Sequence, residues 1–292
     1  MSKVQKAVIP AAGWGTRFLP ATKSQPKETL PLIDKPMIQY IVEEAVAAGI
    51  RQIIMVTSMG KRTIEDHFDR SFELEYMLQK KGDKKRLAEV RRISELADVY
   101  YVRQKEQLGL GHAILTAKDL VGDEPFAVFL PDDIIDSKVP AIRQLLDVYE
   151  RYGGSVVAVE KVSDADVSRY GIVKAEPVGN RTYKVSALVE KPKLEEAPSN
   201  LAVIGRYILA PEIFGLLETG QPGAIGEIQL TDAIDRLGRT QPIHGCEYQG
   251  TRYDGGTPLG LLKASVQVAL KRPDMAQDFR KWLKNLNLDE AE

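Results

Sequence analysis

Strand-like and helix-like stretches alternate through the first half of the chain, and this alternation restricts the possible folds more than any other feature. Short apolar and β-branched runs at 7–9, 53–57, 99–102 and 126–130 predict strands, and the apolar periodicity of 37–48 predicts a helix. Strands that are separated by helices form βαβ units, in which the strands run parallel within one sheet. Ligands of such sheets bind at the carboxyl ends of the strands. Residues that directly follow a strand are therefore the first candidates for a functional site.

The second half of the chain is richer in strands. The predicted strands lie at 155–162, 171–175, 183–189, 201–209 and 242–248, and the predicted helices at 226 or 227 to 237, 259–270 and 274–286. No internal repeat or long linker divides the sequence. We therefore expect one mixed α/β domain at 1–273, with a helical tail at 274–292 that belongs to the same domain.

A glycine loop follows the first predicted strand. Gly13 and Gly15 allow the main chain to approach a ligand closely, and Arg17 and Lys27 add two positive charges. A P-loop would need Lys-Ser or Lys-Thr after its last glycine, where this chain continues with threonine and arginine. A dinucleotide-binding loop would need a third glycine where this chain has Phe18. A phosphate-binding loop and an ordinary strand-to-turn junction with solvated cations both remain open from this segment alone.

Two aspartates follow strand-like sequence at separate points of the chain. Asp132, with Asp133 beside it, comes directly after the apolar run 126–130, and Asp254 precedes two glycines. Carboxylates at the ligand edge of a sheet suit Mg²⁺, which is usually bound by one or two carboxylates together with substrate phosphates. The alternatives are a turn or N-cap aspartate at 132 and a cap of the following helix at 254.

Two further strand ends carry polar residues. Glu190 and Lys191 close the strand 183–189, and a lysine at this point could neutralise a sugar phosphate, although a surface ion pair explains the same neighbours. Gln104 precedes Gly109 and a predicted helix. An amide can read a base edge through its paired donor and acceptor, whereas a glycine-rich helix start is the structural alternative.

The composition excludes several classes of function. With 40 basic and 41 acidic residues the formal net charge is −1, so we expect neither nucleic acid nor a membrane as partner. Three histidines and the single Cys246 offer little material for a zinc site or a histidine-dependent triad. One cysteine and the lack of a secretory or long apolar segment indicate a cytoplasmic protein. The charged segment 61–97 is interpreted as a solvated helical excursion, since acids flank its basic centre.

These motifs form one ordered series that closely resembles the sugar-1-phosphate nucleotidyltransferases over about residues 4–272. The series comprises Ala11-Ala12-Gly13-x-Gly15-Thr16-Arg17-Phe18-Leu19-Pro20, Pro26-Lys27-Glu28, Lys35-Pro36-Met37-Ile38, Gln104 with Gly109-Leu110-Gly111-His112, Leu130-Pro131-Asp132, Glu190-Lys191-Pro192 and Asp254-Gly255-Gly256. The resemblance implies an α/β fold with a Rossmann-like, mixed but mostly parallel central sheet flanked by helices, a small β excursion and C-terminal helices.

The resemblance also implies an activity, uridylyl transfer from UTP to glucose 1-phosphate with Mg²⁺, in a homodimer or homotetramer. It assigns the nucleotide to Ala11, Ala12, Gly13, Gly15, Thr16, Glu28, Gln104 and Gly109, the triphosphate to Arg17 and Lys27, Mg²⁺ to Asp132 and Asp254, and the sugar phosphate to Gly171, Glu190, Lys191 and Val203. Arg17, Lys27, Asp132, Lys191 and Asp254 are the expected catalytic residues.

Two alternatives accompany this expectation. Thymidylyl and cytidylyl transferases resemble the same series, but the alanines at 11 and 12 and the Pro26-Lys27-Glu28 arrangement favour uridine over thymidine. A non-catalytic sensor of nucleotide sugars would bind UDP-glucose without turnover. The intact set of cations and aspartates speaks against a sensor, because a pure binder has little need for a pyrophosphate clamp.

Overall fold

Nine strands form one central sheet in the part of the chain that the structure describes. The computed structural model describes residues 3–220 and 226–287. The strands are β1 Lys6–Pro10, β2 Pro31–Leu32, β3 Lys35–Pro36, β4 Gln52–Thr57, β5 Asp98–Arg103, β6 Phe126–Phe129, β7 Asp133–Asp136, β8 Ser155–Lys161, β9 Gly171–Gly179, β10 Thr182–Glu190, β11 Leu201–Leu209, β12 Ile243–Glu247 and β13 Thr251–Asp254. The helices are α1 Met37–Ala47, α2 Arg62–Phe68, α3 Phe72–Lys80, α4 Lys84–Ser94, α5 Leu110–Thr116, α6 Lys118–Val121, α7 Ala141–Tyr152, α8 Ile213–Glu218, α9 Leu230–Leu237, α10 Pro258–Lys271 and α11 Ala276–Lys284. Within these ranges, no helix is both long and apolar enough to cross a bilayer.

The two faces of the sheet pack against different helices. Successive residues of β1 alternate between two apolar clusters: Ala7 and Ile9 belong to one, and Val8 belongs to the other. The first cluster includes α1 and α7, and the second includes α5, α8 and α9. This alternation is expected of a strand whose side chains point to opposite faces, and it confirms an α/β sheet covered on both sides.

The strand order is β5-β4-β1-β6-β11-β8-β12-β10-β9, and the sheet is mixed. The pairs within β5-β4-β1-β6 and the pair β8-β12 are parallel. The pairs β6-β11, β11-β8, β12-β10 and β10-β9 are antiparallel, as is an additional pairing of β9 with β11. The expectation of a mostly parallel sheet is therefore wrong. No α-helix lies between β8, β9, β10 and β11, and strands without a crossover connection return antiparallel.

The parallel half of the sheet gathers four loops at one edge. Because β1, β4, β5 and β6 share one direction, the residues that follow them lie at their common carboxyl edge. These are the glycine loop after Pro10, the turn after Thr57, Gln104 after Arg103, and the aspartates after Phe129. The candidate site is at this edge, as the βαβ pattern predicts.

Two short ribbons extend this edge. In the ribbon β7-β13, Asp254 lies opposite Asp133 in register, which brings the late aspartate to the early one. The ribbon leads into α10, whose N-cap is Thr257: its side chain accepts a hydrogen bond from Gly260 N at 3.2 Å. The capping alternative for Asp254 is therefore wrong, because a different residue caps this helix.

The helix predicted from 226 or 227 begins only at Leu230. The residues before it pair with the segment after Gln104. Ile228 N donates to Leu108 O at 2.7 Å, and Gly111 N donates to Ile228 O at 2.8 Å. These backbone groups are already bonded outside the helix, so the helix starts after them.

Candidate active site

The glycine loop after β1 is fixed by contacts with its own continuation. Gly15 has φ +67°, and an added Cβ there would lie 3.2 Å from the Cβ of Lys27. Its carbonyl accepts a hydrogen bond from Thr22 Oγ1 at 2.8 Å. Both the backbone conformation and the space beside Lys27 thus require glycine. An added Cβ at Gly13 would have no heavy atom within 4 Å, so this position is open to a ligand.

Lys27 joins the glycine loop to the end of β6. Its Nζ donates to Asp132 Oδ2 at 2.6 Å. Burial lowers the pKa of Lys27, but Asp132 and Glu28 outweigh burial and raise this pKa above its ordinary value. Burial likewise raises the pKa of Asp132, and the opposing effects of Lys27 and Arg17 lower it below its usual range. Both groups are therefore charged at neutral pH.

Asp132 and Asp254 converge on Gly256. An added Cβ at Gly256 would lie 2.8 Å from Asp132 Oδ2 and 3.0 Å from Asp254 Oδ1, so both carboxylates approach this glycine more closely than a side chain would allow. Gly256 N donates to Asp254 Oδ1 at 3.0 Å, and Arg17 Nη1 lies 3.4 Å from Gly256 O. Two carboxylates that meet at one glycine fit Mg²⁺, provided that substrate oxygens complete its ligand shell. Across residues 3–220 and 226–287, no cluster of three or more acidic, histidine or cysteine side chains could hold a metal unaided.

Asp133 is a structural carboxylate, unlike its neighbour Asp132. Arg252 Nη1 donates to its Oδ1 at 2.8 Å, and Gly205 N donates to its Oδ2 at 3.0 Å. Both oxygens are therefore bonded within the protein. The two adjacent aspartates do not by themselves show which of them faces the site, and the expectation for Asp132 comes from the family resemblance.

A buried arginine supports the aspartate turn from behind. Arg206 of β11 is completely buried, and its Nη2 donates to Glu44 Oε2 of α1 and to Asp133 O, each at 2.7 Å. The same guanidinium donates through Nη1 to Gly205 O at 2.8 Å. One side chain thus joins a helix, a strand and the turn that carries Asp132. Sequence reasoning missed it, although a charged residue inside the apolar run 201–209 was a signal.

The expected sugar-phosphate residues meet where β9 begins and β10 ends. Gly171 lies opposite Glu190 in register, and Glu190 Oε2 accepts a hydrogen bond from Thr231 Oγ1 at 2.7 Å. Lys191, with φ +44°, donates its backbone N–H to Tyr170 O at 3.0 Å and places Nζ 3.1 Å from Glu190 Oε1. Its side chain is half-exposed and can reach a ligand. Thr231 had no distinguishing sequence signal.

Val203 is buried in β11, where it lies opposite Val159 of β8. Its side chain therefore belongs to the core as well as to the expected sugar-phosphate set, and its contact with a ligand stays a prediction.

Two of the expected base-binding residues, Glu28 and Gln104, are buried. Glu28 is 1% exposed: Lys61 Nζ donates to its Oε2 at 2.8 Å, and among the described residues its buried Oε1 has no partner. Burial raises the pKa of Glu28 above its ordinary value, although Lys61 and Lys27 oppose that shift. Gln104 Nε2 donates to Gly109 O at 3.3 Å and lies 2.9 Å from His112 Nδ1.

The glycines after Gln104 are required by packing inside the protein. An added Cβ at Gly109 would lie 2.7 Å from Glu227 Cβ, and one at Gly111 would lie 2.6 Å from Ile228 O. The close approach of residues 227 and 228 therefore explains why glycines occur at the start of this helix, without reference to a ligand. The role of Gly109 in base binding stays a prediction.

The structure brings the predicted site residues together in two groups. Lys27, Asp132, Arg17 and Asp254 surround Gly256, whereas Gly171, Glu190 and Lys191 meet at the β9 and β10 ends. A residue that the sequence did not reveal contacts the first group: Arg169, just before Tyr170, places Nη2 3.3 Å from Asp254 Oδ2.

Known proteins resemble this chain along most of its length. The family model described as nucleotidyl transferase matches residues 6–270, and the chain belongs to this family. It is 55% identical over 288 residues to a Staphylococcus epidermidis protein (strain ATCC 35984) named UTP--glucose-1-phosphate uridylyltransferase, with 99% of this chain and 100% of the relative covered.

Two solved structures are similar along nearly all of the chain. One is a UTP-bound UGPase from Acinetobacter baumannii, with a TM-score of 0.91 and 43% identity, covering 98% of this chain and 100% of that chain. The other is a UDP-glucose pyrophosphorylase complexed with UDP-glucose, with a TM-score of 0.84 and 45% identity, covering 92% of this chain and 100% of that chain.

Proposed function

We propose that this chain transfers a uridylyl group from UTP to glucose 1-phosphate, giving UDP-glucose and pyrophosphate. The observation that carries the proposal is the charged cluster in which Lys27 binds Asp132 at 2.6 Å and both Asp132 and Asp254 face the space over Gly256. Relatives named for this reaction, and solved neighbours that contain UTP or UDP-glucose, support the same assignment.

The reaction is an in-line displacement at phosphorus. A phosphate oxygen of glucose 1-phosphate forms a bond to the α-phosphorus of UTP, and the bond from that phosphorus to the oxygen of the β-phosphate breaks. Pyrophosphate leaves with the electron pair. The attacking oxygen is already anionic, so no general base is required, in agreement with the lack of a histidine in the charged cluster.

The chief barrier is the approach of two anions. Two unit charges about 4 Å apart repel by roughly 4 kcal/mol at an effective dielectric of 20, and each substrate carries several charges. In our proposal Arg17 and Lys27 bind the triphosphate and stabilise the departing pyrophosphate, and Lys191 orients glucose 1-phosphate. Catalysis then consists of positioning and charge neutralisation.

Asp132 and Asp254 would bind Mg²⁺ in this proposal. When bound, the ion supplies charge neutralisation where the α-phosphate meets the sugar phosphate. The chain's own contribution is to keep Asp132 ionised beside Lys27 and to bring both carboxylates together at Gly256.

The nucleotide is proposed to lie along the glycine loop, with Glu28 and Gln104 beside the base or ribose. The buried Glu28 Oε1, which has no partner in the described part of the chain, supports this placement, because a buried acceptor without a donor is costly unless a ligand satisfies it. The remaining proposed contacts are Ala11, Ala12, Gly13, Gly15, Thr16 and Gly109 for the nucleotide, and Gly171, Glu190 and Val203 for the sugar phosphate.

Pyrophosphate release tests the proposed function. The purified chain is incubated with each of UTP, dTTP, CTP and ATP and with several sugar 1-phosphates, in the presence of Mg²⁺. We expect UTP with glucose 1-phosphate to give the highest kcat/KM. Faster reaction with dTTP or CTP would instead establish a thymidylyl or cytidylyl transferase, and tight binding of UDP-glucose without turnover would establish a sensor.

Replacing Lys191 with alanine is expected to lower kcat by about a hundredfold or more. The side chain is half-exposed, and within residues 3–220 and 226–287 its ammonium group pairs with the neighbouring Glu190 alone, so the melting temperature should change little. Steady-state kinetics and thermal unfolding of both proteins provide the check. Near-normal turnover in Lys191→Ala would show that Lys191 does not orient glucose 1-phosphate.

We also propose that residues 1–273 form the catalytic domain with 274–292 as its helical tail, and that the protein is a cytoplasmic homodimer or homotetramer. Leu259 and Leu262 on α10 and Trp282 on α11 are largely exposed, which supports an interface on this part of the surface. Light scattering coupled to size exclusion would measure the assembly.

A further inference from the structure

Both carboxylate oxygens of Asp254 have donors within the protein. Gly256 N donates to Oδ1 at 3.0 Å, and Arg169 Nη2 lies 3.3 Å from Oδ2. The first donor is a fixed backbone group, whereas the second is the end of a long side chain. Arg169 therefore occupies one side of a carboxylate that is proposed to take part in phosphate chemistry.

The backbone of Arg169 is fixed beside the sugar-phosphate residues. Arg169 ends the short 3₁₀ helix Asp164–Arg169, and Tyr170 follows it. Tyr170 O accepts the backbone N–H of Lys191 at 3.0 Å, and its hydroxyl accepts from Arg252 Nη2 at 2.8 Å. Arg169 and Lys191 therefore lie near each other along the backbone, one just before the start of β9 and the other just after the end of β10.

The guanidinium group of Arg169 is free to exchange partners. Its side chain is 52% exposed, and it lines a cleft of about 430 Å³ together with Asp254, Thr257 and Lys263. Exposed ion pairs of this kind are weak. Its other contacts, from Nη1 to Asp166 Oδ1 at 2.8 Å and from Cζ to the centre of the Tyr170 ring at 5.7 Å, hold the side chain at the rim of the cleft.

The same arrangement exists on the other carboxylate, where Lys27 donates to Asp132 at 2.6 Å. Each aspartate that faces Gly256 is thus paired with one cation. If phosphates and Mg²⁺ enter the space between the aspartates, each cation can transfer from its carboxylate to an incoming phosphate. The transfer keeps every charge paired before and after substrate binding.

We infer that Arg169 is a further substrate-binding residue, which moves from Asp254 to the phosphate of glucose 1-phosphate. The inference rests on the proposed uridylyl transfer and adds a second cation, beside Lys191, for a dianionic monoester. A guanidinium suits this ligand because its planar fork can donate two parallel hydrogen bonds to phosphate oxygens. The exchange also frees Asp254 Oδ2.

Steady-state kinetics and equilibrium binding of Arg169→Ala and Arg169→Lys test the inference. We expect Arg169→Ala to raise KM for glucose 1-phosphate by about tenfold or more and to leave KM for UTP within about twofold, since a charged hydrogen bond is lost only at the sugar phosphate. Calorimetric titration with UDP-glucose in EDTA, without metal or turnover, should show weaker binding of similar size. Arg169→Lys should recover part of both losses, because it keeps the charge but not the fork.

Arg86→Ala is the matched control. Arg169 pairs with Asp166, three residues earlier in the chain. Arg86, on helix α4, likewise forms an exposed ion pair with Asp83, three residues earlier, at 3.0 Å. Its kinetics should equal those of the wild type.

The outcomes distinguish a failure of the Arg169 inference from a failure of the proposed uridylyl transfer. Equal increases in both KM values, or an unchanged KM for glucose 1-phosphate in an active Arg169→Ala enzyme, would overturn the inference alone. A wild-type protein that makes no UDP-glucose would overturn the proposed function and the inference together.

Discussion

Replacing Asp132 with asparagine should lower kcat by at least about a hundredfold while the fold remains intact. The substitution removes one of the two carboxylate charges that face Gly256. It also removes the counter-ion of Lys27, whose Nζ lies 2.6 Å from Asp132 Oδ2 in the wild type. Because asparagine has nearly the same shape, the turn can keep its geometry. Turnover with UTP and glucose 1-phosphate, together with the thermal midpoint, measures both expectations.

Asp147→Asn is a suitable control for this experiment. Asp147 pairs with Arg143 within α7, and its side chain is largely exposed, so its loss should leave kcat unchanged. A kcat for Asp132→Asn within about threefold of the wild type would show that Asp132 is outside the reacting centre.

Replacing Arg206 with methionine should destabilise the protein by about 3–5 kcal/mol, because removal of one partner leaves a buried charge uncompensated. Glu44 would lose the guanidinium at 2.7 Å, and the carbonyls of Gly205 and Asp133 would each lose one donor. The midpoint of urea unfolding, with the slope determined in parallel, measures the loss.

A double variant separates charge from packing at this position. Glu44 Oε1 also accepts from Ile142 N at 3.1 Å, and glutamine can keep that bond while removing the charge. Arg206→Met combined with Glu44→Gln should therefore recover part of the stability lost by Arg206→Met alone. Equal stability of the wild type and Arg206→Met would mean that the buried pair does not support the Asp132 turn.

The first half of the fold follows from the sequence because its signals are local. Apolar runs separated by an amphipathic helix specify parallel strands, and β1, β4, β5 and β6 lie where the pattern predicts them. The second half required long-range information. Strand patterns at 171–175 and 183–189 do not reveal that β9 and β10 pair directly or that β9 also reaches β11.

The candidate site shows the same division. The glycine loop and the aspartate motif could be located from local sequence, but the choice between Asp132 and Asp133 depends on Arg252 and Gly205, which are distant along the chain. Arg169 lies in a turn with no marked pattern, and only its 3.3 Å approach to Asp254 draws attention to it. Side chains that support or bridge a site become visible only when the tertiary contacts are known.

The central claim is that a phosphate oxygen of glucose 1-phosphate attacks the α-phosphorus of UTP at the space between Asp132 and Asp254. Glucose 1-phosphate labelled with ¹⁸O at its non-bridging phosphate oxygens tests this claim directly. Phosphorus NMR resolves the shift that a bonded ¹⁸O causes at each phosphorus of the products. We predict UDP-glucose with ¹⁸O in the oxygen that bridges its two phosphorus atoms, and unlabelled pyrophosphate. Label in the released pyrophosphate, or no UDP-glucose at all, would contradict the account.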